Sequence, residues 1–167
     1  MKHIPLTMGK VAMVDDADFT MLSEHRWYAR QTTPGRFYAV RYERRAGVRF
    51  AVYMHRSVCD GLTEERNHVD HIDGDGLNNQ RSNLRACNPH ENHGNQKKAR
   101  IDKTSSRYKG VSWDGARKRW KAVIKVNGKH IDIGRFKDEC DAATAYNFAA
   151  EAAFGEFAVG NHAARMV

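Results

Sequence analysis

Cysteine is scarce: Cys59, Cys87 and Cys140 are odd in number and far apart in a chain of 167 residues. That excludes a disulfide framework and is expected of reduced, mostly buried thiols in a cytoplasmic protein. Long apolar runs are missing too, so no stretch approaches a membrane span. The first 25 residues contain Asp15, Asp16, Asp18 and Glu24, so a secretory signal is not expected in them. Acidic side chains thin out sharply in one block. Residues 97–137 carry 14 basic against 3 acidic side chains, whereas residues 1–96 carry 13 against 12 and residues 138–167 carry 1 against 5. A basic block this concentrated, beside a near-neutral one, points to a polyanion-binding surface. The length allows one ordinary domain or two small ones with modest cores.

What the sequence does hold centres on residues 67–96. A short apolar-alternating strand over 68–72 leads into a loop rich in Gly, Asp and Asn, then a second strand over 84–87 and a helix start. Asn88 suits the N-cap, Pro89 the first helical position, and Glu91 the reciprocal place of a capping box. The helix face then runs from Asn92 to Asn95 and Gln96. Asp70 and His71 stand near the first strand, and amide side chains stand on the helix. A hard divalent cation such as Mg2+ takes carboxylate and carbonyl oxygens and keeps several waters. One Asp and one Asn carbonyl could therefore hold it, with His71 as general base for a water. Three other readings stay open. The loop could be a plain Asx-rich turn. It could be a calcium loop built on Asp70, Asp73 and Asp75, although Glu is missing from position 12. A zinc site from His68, His71, Cys87 and His90 has the right residue types but lacks any C-x-x-C pair.

These residues resemble the HNH nuclease family, the ββα-metal fold, and within it the homing endonucleases of phages and mobile introns. The likeness covers residues 48–96 and includes the triplet Met54, His55, Arg56. The resemblance implies that Asp70 ligates a Mg2+ ion, for which Mn2+ would substitute, and that His71 activates water. It also implies that Asn83, in the Asn-Leu-Arg triplet, braces the loop and that Asn92 supplies the second metal ligand. The last motif position is His in some members, so the pattern here reads H-N-N. His93, about 100° round the helix, is the weaker ligand candidate. His55 and His68 are expected to be supporting residues.

The first 66 residues are expected to form a small mostly-β unit that covers or positions the motif. Strands are predicted over 4–6, 11–14 and 27–30, a short helix over 17–23, and a hairpin of 37–42 with 49–53. Its turn, over 44–48, brings Arg44 and Arg45 beside Arg49, which would touch phosphates or simply be solvated. Lys97 and Lys98 open a polar connection, with a basic linker over 99–106 that could track a nucleic-acid backbone.

From residue 107 the pattern becomes three strands and a helix. Trp120, Ala122, Ile124 and Val126 form an apolar face, with Arg119, Lys121, Val123 and Lys125 opposite. Asn127-Gly128 is a strong hairpin signal. Asp138 is expected to cap a helix to about residue 154, with a stripe of Ala142, Ala145, Tyr146, Ala149, Ala150 and Ala153 that lies close on the sheet. Trp120, Ile124 and Ile131 are expected to fill the layer between, and Gly155 to end the helix. The blocks Tyr108-Lys109-Gly110-Val111, Ile133-Gly134-Arg135-Phe136 and residues 142–150 resemble the AP2/ERF DNA-binding domain. That resemblance implies that the exposed sheet face meets a major groove through Lys109, Arg119 and Lys125, with Lys121 pointing the same way. Ser112 and Asp132 stand where plant members have Arg and Trp.

The expected fold class is therefore α+β: an HNH nuclease domain over 1–98, the linker, an AP2-like domain over 107–158 and a tail over 159–167. The expected activity is site-specific, Mg2+-dependent hydrolysis of double-stranded DNA in a bacterial cytoplasm, from a phage or mobile element. A DNA-binding regulator with an inactive nuclease remnant, or a defence nuclease with little sequence preference, are the rival classes.

Overall fold

The computed structural model describes residues 1–94 and 105–161. The chain is a mixed α+β protein of two compact units, Met1–Asn88 and Pro89–Val167. The division falls ahead of the boundary expected at residue 98, so the helix that begins at Pro89 is grouped with the second unit.

The first unit opens with an antiparallel pair, β1 (Lys2–Pro5) and β2 (Val11–Val14), followed by α1 (Asp16–Ser23). A three-stranded antiparallel meander comes next: β3 (Tyr28–Thr33), β4 (Arg36–Arg45) and β5 (Val48–Tyr53). Ala46 and Gly47, both at positive φ, make the whole β4–β5 turn. Arg44, Arg45 and Arg49, expected at a longer turn, are thus strand residues, because a two-residue turn with left-handed backbone matches the strand twist and lets pairing run to its edge. A helix not foreseen, α2 (Met54–Val58), follows directly. Its Met54 and Val58, one turn apart, are buried with Leu22, Trp27, Ala39 and Leu84 in one core. The Trp27 indole donates to the Leu22 carbonyl at 2.8 Å, satisfying its one polar atom inside that core. The last pair is β6 (His68–His71) with β7 (Leu84–Cys87).

The second unit begins with α3 (Pro89–Gly94) and then forms a sheet of β8 (Val111–Asp114), β9 (Arg119–Val126) and β10 (Lys129–Phe136), with β9 central. Asn127 and Gly128 turn β9 into β10 with φ of 50° and 78°. The helix α4 (Glu139–Phe154) lies on β9 and β10. Asp138 caps it, accepting from the Cys140 and Asp141 backbone N–H groups. Ala142, Ala143, Tyr146, Ala150 and Phe154 are its buried residues, while Ala145, Ala149 and Ala153 are only half-buried. Gly110 sits beneath Tyr146, where a Cβ would collide with the ring, so the strand approaches the helix at that point only as glycine. Ile131 does not fill the layer as expected and is 49% exposed. It pairs with the buried Ile124 but stands on the edge strand near the β9–β10 turn; past a register shift between Asp132 and Gly134, Ile133 and Phe136 pack on the core instead. Residue 161, placed in a tail by sequence, is built into the unit. Asn161 exchanges hydrogen bonds with the Lys109 backbone at 2.7 and 3.1 Å and with the Asn147 side chain at 2.6 and 3.1 Å.

Candidate active site

The β6–β7 register sets Asp70 opposite Arg85 and His71 opposite Leu84. Asp70 is 4% exposed and His71 6%, although they are successive strand residues, because both sides of this short hairpin are covered. Arg85 donates from Nε at 2.9 Å and from Nη2 at 2.8 Å to the same Asp70 Oδ2. A buried carboxylate is thereby matched by a nearly buried guanidinium.

The loop between the strands is held from inside. Asn83 donates from Nδ2 to Asp73 Oδ1 at 3.0 Å and to the Asn78 carbonyl at 2.9 Å, and its Oδ1 accepts the Asp73 N–H at 3.1 Å. Its own carbonyl accepts the Ile72 N–H at 2.9 Å. Asp73 and Asp75 accept the backbone N–H groups of Asp75 and Leu77, as Asx turns do. Burial raises the Asp73 carboxyl, but hydrogen bonds from Asn78, the Asp75 N–H and Asn83 outweigh it and hold the group below the usual carboxylate range. From outside, the loop is pinned to β2 by Met13 N–H to Leu77 O at 2.9 Å and Asn79 N–H to Met13 O at 2.8 Å. Arg81 adds a bidentate clamp on Asp18 at 2.8 and 2.7 Å and a second on Asp60 at 2.7 Å.

Around His71 lies an aromatic enclosure. The His55 ring is 5.1 Å away and nearly perpendicular, and the Tyr38 ring is 5.8 Å away. Tyr53 flanks His55 at 5.3 Å. His55 is almost fully buried, and its Nδ1 has no hydrogen-bond partner among the described residues. Burial, then the charge of His71, push its pKa down to about 3, so it is neutral at ordinary pH. Burial also lowers His71, against the pull of the Asn79 side chain and the carboxylates of Asp73, Asp70 and Asp75. At the end of β6 there is thus a neutral imidazole, able to accept a proton, next in sequence to a buried carboxylate.

Comparison with known proteins gives two relatives. The chain is 32% identical over 153 residues to an uncharacterized HNH endonuclease of Acanthamoeba polyphaga mimivirus, a match that covers 92% of this chain and 75% of that protein. The chain belongs to the HNH endonuclease family. It is also 39% identical over 62 residues to Protein 3.8 of Escherichia phage T7, covering 37% of this chain and 50% of that protein. No family model matches. No solved structure matches either.

In this HNH endonuclease chain the structure brings Asp70, His71 and Asn83 together on one hairpin, while Asn92, half-buried on α3, belongs to the other unit. Among the described residues no group of three or more His, Cys, Asp or Glu side chains is placed to hold a metal. The donors at the hairpin are hard oxygens, and one carboxylate suits a cation that keeps most of its waters. Because Arg85 already holds Oδ2, an ion on Asp70 would share that carboxylate with a guanidinium.

On the second unit, Lys125 is exposed, Arg119 half-buried, and Lys121 paired with Asp132 at 3.2 Å. Arg135 bridges Asp132 at 3.3 Å and Asp114 at 3.0 Å. Lys109 lies elsewhere: its ammonium is 6.0 Å from the Tyr146 ring of α4, and burial lowers its pKa. Lys97 and Lys98 lie outside the described residues. Among the described residues no helix is long and apolar enough to cross a membrane. Arg85 and Tyr38 were not singled out by sequence. The cross-strand register of Asp70 was the available signal for Arg85, whereas nothing in the order of residues announces Tyr38.

Proposed function

We propose that the chain is a Mg2+-dependent endonuclease that hydrolyses phosphodiester bonds of double-stranded DNA at a preferred site, in the manner of phage and mobile-intron homing enzymes. Mn2+ would substitute for Mg2+. The observation that carries this reading is the buried, neutral His71 beside the buried Asp70 at the end of β6, in a chain of the HNH endonuclease family. Asp70, with Asn92 from α3, would hold the ion, whose charge when bound would stabilise the developing negative charge of the scissile phosphate. His71 takes a proton from water, the hydroxide attacks phosphorus, and the bond to the 3′ oxygen breaks, that oxygen taking a proton from solvent water to leave as the 3′ hydroxyl. Asn83 keeps the loop after His71 in one shape through its bonds to Asp73 and Asn78. Arg85 orients Asp70, and the rings of His55 and Tyr38 keep bulk water from the buried side of His71. The AP2/ERF-like second unit, with its exposed sheet face and basic balance, would supply affinity and register.

The test is incubation of supercoiled plasmid carrying a candidate site with Mg2+, Mn2+ or EDTA. Metal-dependent conversion to open-circular or linear DNA is the expected result. A second reading, a DNA-binding regulator with an inactive nuclease remnant, is favoured by one observation: Arg85 already neutralises Asp70. Duplex binding without cleavage in either metal would select it.

A further inference from the structure

The meander of the first unit has two faces of different chemistry, and its register sorts them. Arg30 pairs with Tyr38, Val40 with both Tyr28 and Tyr53, Tyr42 with Ala51, and Arg44 with Arg49. Directly paired residues point to the same side of a sheet, so these side chains share one face. Arg30, Arg44 and Arg49 are all exposed there, and none of the paired residues on that face is acidic. The opposite face carries Glu43, which takes ion pairs from Arg41 at 2.6 Å and Arg45 at 2.8 Å. Of the three arginines near the β4–β5 turn, two therefore stand together on one side, and Arg45 is balanced on the other.

The arrangement of Arg44 and Arg49 has a cost and a use. Two like charges directly opposite on neighbouring strands repel, and an anion between them removes the repulsion. Arg49 lies 3.7 Å over the Tyr42 ring, and Arg30 lies 5.8 Å over the Tyr53 ring while donating to its hydroxyl at 3.0 Å. A guanidinium laid on an aromatic face keeps its N–H edge directed outward, which is the edge that takes a phosphate. The face also has a direction. At its inner end Tyr38 and Tyr53 pack against the His71 and His55 rings. Six residues of extended strand separate Tyr38 from Arg44, about 20 Å at a strand's rise. That is roughly six nucleotides along one strand of a duplex.

We propose that this face seats the sugar–phosphate backbone of the DNA duplex being cut. Arg44 and Arg49 meet adjacent phosphates roughly six nucleotides from the cleaved bond. Arg30 meets a phosphate nearer to it. The proposal rests on the endonuclease reading, and it makes the nuclease unit a DNA-binding element in its own right, separate from the sheet of the second unit.

The test uses the full chain in EDTA, so that no cutting intervenes, with fluorescence anisotropy on a mixed-sequence duplex across a salt series. The Arg44→Gln/Arg49→Gln pair is expected to reduce the slope of log affinity against log salt by about 1.8, and Arg30→Gln to remove about 0.9 more. A charge-matched control, Lys2→Gln/Lys10→Gln, should lower it by less than about 0.5. Arg44→Lys/Arg49→Lys keeps the charges and should keep most of the slope, and thermal melts check the fold of each variant. A wild-type slope in the folded Arg44→Gln/Arg49→Gln variant, or an equal loss in the control, overturns the proposal even if plasmid cleavage is normal. A reduced slope in a chain that never cuts supports this contact and removes the endonuclease reading alone.

Discussion

The imidazole of His55 stands edge-on to that of His71, ring centroids 5.1 Å apart and planes at 89°. Two protonated imidazoles so close inside a core would repel each other and lack solvation. The pair therefore favours two neutral rings, which leaves His71 in the form that accepts a proton from water.

That pair makes stability depend on pH. His55 binds a proton readily when unfolded, near 6.5, but when folded only near 3. Between those values the unfolded chain holds more protons, so stability rises with pH. The contribution is complete above the unfolded value and is lost as pH falls toward the folded one. Urea denaturation at several pH values in this window should show His55→Leu flattening the dependence by up to about 1.4 kcal/mol per pH unit. An unchanged slope in the variant would mean that His55 is not held neutral.

Asp70→Asn, which keeps an acceptor for Arg85, and His71→Ala are both expected to abolish cleavage while leaving duplex affinity within a few-fold, because neither side chain lies on the faces assigned to DNA binding. Anisotropy and plasmid cleavage on the same preparations separate the two properties. Normal cleavage by His71→Ala would sink the general-base role.

Much of the architecture was legible because it is carried by local rules. The strand alternation that buries Ala122 and Ile124, the Asn127-Gly128 turn and the Asp138 cap each depend on a few neighbouring residues. Strands β2 and β7 fall on the residues that their apolar pattern marks out. The misses depend on distant partners. Five residues are too few to display helical periodicity, so α2 is visible only through the burial of Met54 and Val58. Ile131 is exposed on the edge strand although it pairs with the buried Ile124, and the packing of Ile133 and Phe136 in its stead follows a register shift that no composition reveals. At the hairpin, Asp70, His71 and Asn83 are near in sequence and His55 comes with the Met54-His55-Arg56 triplet, whereas Arg85 and Tyr38 enter only through strand pairing and core packing.

Arg85 and Asp70 form a pair whose members depend on each other. Arg85→Leu leaves a carboxylate that is 4% exposed without its guanidinium and should cost about 3 to 5 kcal/mol in the first unit. Asp70→Leu/Arg85→Leu removes both charges and should recover a large part of that loss. Equilibrium denaturation of the two single variants and the double variant gives the coupling. Additive losses would show that the ion pair contributes nothing beyond its separate side chains.

The exposed sheet face of the second unit is not uniformly basic, and that gives its clearest test. Lys121 is paired with Asp132 at 3.2 Å, and Arg135 with Asp132 and Asp114, so two of its cations are partly balanced by carboxylates. Lys125 is exposed across from His130 on β10, with no acid opposite. If this face meets DNA, Lys125→Gln should reduce the salt slope by about 0.9, and Lys121→Gln by less, since part of its charge is already neutralised. Asp132→Asn should act in the opposite direction, releasing Lys121 and Arg135 toward phosphate and raising both affinity and slope. The Asp132 carboxyl lies below the usual carboxylate range: burial raises it, but the hydrogen bond and charge of Lys121 and the neighbouring Arg135 outweigh that, so it stays ionised across the working pH range. Anisotropy on a duplex at several salt concentrations reads all three variants. Equal slopes for Asp132→Asn and wild type, with Lys125→Gln also unchanged, would take this sheet out of the interface.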